Sequence, residues 1–109
     1  MLERDELILL EECLDDWQGL WEAVWMAPDE PVEKRATLVT SLVQRGLLDI
    51  LRLNEWSEAR AATALPREEA LAVVREARNY IAPAEGHVGQ FFVLSITPEG
   101  EAAQAACYS

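Results

Sequence analysis

Apolar positions recur at helical spacing through the start of the chain. Leu7, Leu10, Leu14 and Trp17 fall three, four and three residues apart, which predicts a helix over 5–17 with one apolar stripe. Glu11, Glu12, Asp15 and Asp16 take the opposite side, and Asp5 and Glu6 occupy the first turn, where carboxylates favour the positive end of the helix dipole. The stripe continues through Leu20, Trp21, Val24 and Trp25, interrupted by Gly19. A glycine costs roughly 1 kcal/mol against alanine inside a helix, so 5–26 reads as one helix or as two, with a bend or break at Gly19 favoured. Pro28-Asp29-Glu30-Pro31 is a turn, with Asp29 or Glu30 placed to cap the next helix and Pro31 in its first turn. Val32, Ala36, Val39, Leu42 and Val43 then form the buried stripe of a helix over 32–45, closed by Gly46.

The second half changes period. Residues 47–53, LLDILRL, end in apolar alternation and predict a strand, as does the apolar run 91–96, FFVLSI. Between them, 54–64 carries no clear period, Pro66 opens a helix over 66–80 on Leu71, Val74, Ala77 and Ile81, and 83–90 is a loop with two glycines. Thr97 caps a last helix with Pro98 in its first position. Two strands far apart in sequence are best satisfied by antiparallel pairing against the helices. The expectation is a single α+β domain over 1–109 with three N-terminal helices, a two-stranded antiparallel ribbon, a helical insertion looped out at 54–88, and a C-terminal helix.

Two stretches carry a family likeness. ATLVTSLVQRGLLDILRL, Ala36 to Leu53, resembles the third helix and first wing strand of small bacterial winged helix-turn-helix regulators of the MarR and PadR kind, in which a helix closes with L-x-x-x-G-L-[LIV]; the matching residues are Leu42, Gly46, Leu47 and Leu48. FFVLSITPEGEAAQAA, Phe91 to Ala106, is similar to the second wing strand and closing helix, with its T-P-E-G step at Thr97, Pro98, Glu99 and Gly100. The chain departs from that pattern at 54–88, where a wing is ordinarily a tight loop. A helix inserted there, with Leu65, Pro66, Glu68, Glu69, Ala70 and Leu71 matching L-[SP]-x-E-E-A-L, looks like a group of small uncharacterised bacterial proteins. The resemblance implies a winged-helix-like fold and no chemistry.

Charge narrows the functions. The 109 residues hold 20 acids and 9 bases, for a net −11. Residues 1–31 hold ten acids and one base, a balance of −9, whereas 34–78 holds eight bases and six acids, a balance of +2. A generally polybasic nucleic-acid coat and an electrostatic membrane binder are excluded. No apolar run approaches the ~18–20 residues of a membrane span, and the acidic start MLERDEL is unlike a signal peptide. Cys13 and Cys107 read as free thiols of a reducing cytosol, which predicts a cytoplasmic protein.

Two surfaces are candidates for recognition. If 32–46 enters a DNA major groove, as the resemblance implies, Lys34, Arg35, Thr37, Thr40, Ser41, Arg45 and the strand residue Arg52 are the expected contacts. The rival surface is the apolar seam Leu7, Leu10, Leu14, Trp17, Trp21 and Trp25, which on a continuous helix has coiled-coil spacing and suits a homodimer or another protein partner. The acidic face of the first helix also suits an inhibitor or antidote that blocks a basic site on a partner. No catalytic, phosphate-binding or metal-ligating motif is present, and the single histidine, His87, has no ligand partner at metal spacing. The expected function is therefore a non-catalytic regulatory or protein-interaction module without cofactor or metal, contacting protein through the Trp-rich first helices or the inserted 54–88 segment, with duplex-DNA binding as the runner-up.

Overall fold

The computed structural model describes residues 2–84 and 89–108. The class is α+β: α1 (Arg4–Asp15), β1 (Gln18–Gly19), α2 (Glu22–Trp25), α3 (Val32–Gln44), β2 (Leu48–Leu53), α4 (Arg67–Arg75), β3 (Phe91–Ile96) and α5 (Pro98–Ala106), with 3-10 turns at Trp56–Glu58 and Ala77–Tyr80. The two long strands pair antiparallel as expected, from Leu48 opposite Ile96 to Leu53 opposite Phe91. The ribbon is nevertheless not two-stranded. Gln18 and Gly19 pair antiparallel with Leu94 and Val93, giving a three-stranded sheet in the order β1-β3-β2. A two-residue strand carries no period, so nothing in the hydrophobic pattern marks it.

Side-chain alternation divides the sheet into two buried faces. Leu48, Ile50 and Leu94 point into the main core with Leu9, Leu10, Cys13, Leu20, Val39 and Leu42 from the helices. Leu51, Leu53 and Val93 face the other way, where Ala59 and the half-buried Trp17, Ala62, Ala64 and Phe91 cover them. The chain after β2 folds back along that strand, and the Leu65 N–H donates to the Ile50 carbonyl at 2.9 Å. This return protects an edge that would otherwise present unpaired backbone groups.

The insertion is not looped out. Ala70, Val73 and Val74 of α4 belong to the main core, as does Tyr80, whose hydroxyl donates to the Val74 carbonyl at 2.7 Å. The helix predicted over 66–80 stops at Arg75, and a 3-10 turn carries the chain on to Tyr80. The segment completes the core that the first three helices leave open.

The first helix buries a different stripe from the expected one. Glu6, Leu9, Leu10 and Cys13 face inward, while Leu14 is exposed. The helix ends at Asp15, so Trp17 no longer lies on its face and the stripe rotates toward Leu9 and Cys13. The break comes before Gly19, whose position in β1 admits the Trp21 ring directly above it: a Cβ there would lie 2.6 Å from Trp21 Cε2.

The ends of α3 and α5 are tied together. Gly46, at φ +73°, closes α3 with Gly46 N–H donating to Val43 O and Leu47 N–H to Leu42 O, both at 3.0 Å. This is the paired bonding of a glycine-terminated helix. Thr97 then donates its N–H to the Leu47 carbonyl at 3.2 Å and its hydroxyl to the Gly46 carbonyl at 2.6 Å. The same hydroxyl accepts the Gly100 N–H at 2.9 Å and so caps α5.

Candidate functional site: an aromatic cleft shared by two parts of the chain

Leaving β1, the chain is anchored by Leu20, fully buried, whose N–H donates to the Phe92 carbonyl at 3.0 Å. That anchor fixes Trp21, which folds over Gly19 and stays only 8% exposed. One turn on, at the end of α2, Trp25 stands out at 62% exposure. Trp56 approaches from the insertion. It opens the 3-10 turn Trp56–Glu58, which Glu55 and Glu58 hold by reciprocal capping, with the Glu58 carboxylate also accepting the Asn54 N–H at 2.6 Å. Phe91, at the start of β3, completes the group.

The rings form one edge-to-face cluster. Trp21 and Trp56 have centroids 6.0 Å apart at 71°, Trp21 and Phe91 5.9 Å at 66°, and Trp56 and Phe91 5.3 Å at 51°. Such contacts contribute about 0.5–1.5 kcal/mol each beyond burial. Beside it opens a cleft of about 470 Å3, lined by these three rings and Trp25, by Asn54 and Glu55, and by the 82–84 stretch. Trp56 keeps 46% of its surface exposed there. Among the described residues the lining offers ring faces, the Asn54 amide and the Glu55 carboxylate. It is suited to binding.

The expected dimer seam is dispersed. Leu10 and Trp21 are buried in their own chain, Leu7 and Trp17 are half-buried, and Leu14 and Trp25 are exposed on different elements. The break between α1 and α2 prevents a continuous stripe. Only Trp21 and Trp25 of the six meet in the cleft, joined by Trp56, from the 54–88 segment expected as the other partner surface, and by Phe91, which the sequence does not single out. The signal available was compositional: three of the four tryptophans border the cleft.

The expected DNA-contacting residues are largely engaged within the fold. Arg35 is only 3% exposed; its Nε donates to the Ala23 carbonyl at 2.8 Å and its Nη1 to Glu30 at 3.1 Å. Lys34 pairs with the same Glu30 at 2.9 Å. Arg45 and the Ser41 hydroxyl both bind the buried carboxylate of Glu6, so α1 lays an acid against the face of α3 expected to read bases. Thr37 donates its hydroxyl to the Glu33 carbonyl at 2.9 Å, and Thr40 lines a groove that includes Arg75 of α4. Arg52 pairs with Glu69 and lies 5.7 Å above the Phe92 ring. His87 lies outside the described residues.

Cys13 is buried in the main core, and burial first, then the charges of Glu12 and Glu22, push its thiol up to about 12. Because the thiolate is the nucleophile, iodoacetamide at pH 8 is expected to label the exposed Cys107 of the folded chain while sparing Cys13, and to label both in denaturant. Mass spectrometry of the native digest checks this; labelling of Cys13 at the rate of Cys107 contradicts the packing.

Among the described residues, no group of three or more His, Cys, Asp or Glu side chains is arranged to hold a metal ion, and no helix is long and apolar enough to cross a membrane. Comparison with protein-family models, with curated proteins and with solved structures finds no match.

Proposed function

We propose that this chain is a non-catalytic, winged-helix-like interaction module that contacts a protein partner through the aromatic cleft. The observation that carries the reading is the pair of exposed indoles, Trp25 at 62% and Trp56 at 46%, set beside the buried Trp21. Large aromatics in a preformed recess are favoured anchors at interfaces. Covering the exposed parts of both rings is worth on the order of 5 kcal/mol at the usual apolar-area coefficient. The antiparallel pairing of β2 with β3 beside α1, α2 and α3 supports the winged-helix-like description.

The test is comparative capture. The wild-type chain and a Trp25→Ala/Trp56→Ala variant are immobilised and exposed to extract of the native cell, and bound proteins are quantified; light scattering reports a second copy as partner. The expected result is a partner held by the wild type and reduced at least about tenfold by the variant, as for paired hot-spot residues. Equal recovery by both chains, or no recovery together with a monomeric wild type, overturns the proposal.

The ion pairs of the expected DNA-contacting cations weigh against duplex DNA as the ligand. Lys34, Arg35, Arg45 and Arg52 each already face a carboxylate, and a phosphate contact by any of these four would have to displace it. A shift assay at ~50 mM salt, where phosphate contacts are strong, is expected to show no retained DNA. Retention that falls steeply with salt and disappears in Arg45→Glu would restore the regulator reading.

A further inference from the structure

We infer that the occupant of the cleft is a basic segment of the partner, carrying an arginine or lysine that lies against the Trp25 and Trp56 rings. The inference rests on the cleft being the partner surface. The composition of the lining carries it. Among its described residues the cleft presents the ring faces and the Glu55 carboxylate, and no cation. Indole faces attract a guanidinium or ammonium through their quadrupole, and more strongly once water is excluded.

The wider charge distribution acts in the same direction. The chain carries −11, of which residues 1–31, including the α2 segment that supplies Trp21 and Trp25, hold −9. Arg78, in an adjoining groove that shares Trp21, Phe91 and the 82–84 stretch with the cleft, faces Glu76 at 3.7 Å. The net field therefore speeds the approach of a positive segment and slows an acidic one. A second copy of this chain would bring another −11 against the first, and a polyanion would meet ring faces and a carboxylate with no cation in the lining. Both fit the cleft less well than a basic peptide.

A random dodecapeptide phage library panned at ~50 mM salt, where charge steering is strong, tests the inference with no assumption about the natural partner. Wild type and the Trp25→Ala/Trp56→Ala variant are panned in parallel, and the consensus peptide is then synthesised and titrated. The expected result is enrichment of arginine- or lysine-bearing sequences on the wild type only. Trp25→Ala should weaken the synthetic peptide about tenfold, and Glu55→Gln, which keeps the capping acceptor, about threefold, with weaker binding at higher salt. Enrichment of neutral or acidic sequences that are lost on the variant overturns the basic partner while leaving the cleft as the partner surface. Recovery of the same sequences on both chains, or no enrichment on either, overturns both.

Discussion

Replacing Arg35 with alanine is expected to lower the unfolding free energy by about 2–4 kcal/mol, the range for removing a buried, hydrogen-bonded side chain. The guanidinium is almost fully buried between α2 and α3, where it binds the Ala23 carbonyl and Glu30. Alanine leaves that carbonyl without its partner and opens a void beside Ala23, itself fully buried. Lys34→Ala provides the contrast, because an exposed side chain paired only with Glu30 contributes little to stability. Urea unfolding of the two variants separates the roles of adjacent residues. A base-reading Arg35 would lose DNA contact and keep its stability; a loss below about 1 kcal/mol on Arg35→Ala would contradict its part in joining α2 to α3.

Gly100→Ala is the second large effect, and its sign opposes helix propensity. Alanine in an exposed helical position stabilises by roughly 1 kcal/mol over glycine. Gly100 is buried, and a Cβ there would lie 2.8 Å from Ile96 Cγ1 and closer still to the Leu47 backbone carbonyl. That carbonyl already accepts the Thr97 N–H, so it cannot retreat without loosening the tie between α3 and α5. Overpacking against backbone costs about 2–4 kcal/mol, which for a chain of this size is a drop in Tm on the order of 10–20 °C. A thermal scan showing an unchanged or higher Tm would contradict the close approach.

Much of the frame was legible because its signals are periodic or conformational. The 3.6-residue stripe of Val39, Leu42 and Val43, the left-handed Gly46 and the Thr97-Pro98 start each depend on local chemistry, and each element stands where that chemistry puts it. The strand over 91–96 was legible because six apolar and small residues in a row suit a strand buried on both faces. What escaped depends on tertiary contact. A polar residue on an apolar stripe reads as surface, yet Glu6 and Arg35 are buried because Arg45, Ser41, Glu30 and the Ala23 carbonyl satisfy them. Trp25 read as part of one stripe with Trp17, and the two-residue β1 separates them. Trp56 lies in a stretch without period, and only the return of the chain along β2 brings it to Trp21.

The most direct test follows the four indole N–H resonances of a uniformly 15N-labelled chain during titration with the partner that the wild type captures. Trp17, Trp21, Trp25 and Trp56 each give one signal. Partner binding in the cleft predicts large shifts or broadening for Trp25 and Trp56, a smaller change for the buried Trp21, and none for Trp17, which does not line the cleft. Unmoved Trp25 and Trp56 signals, with backbone shifts concentrated along α3 instead, would contradict the account.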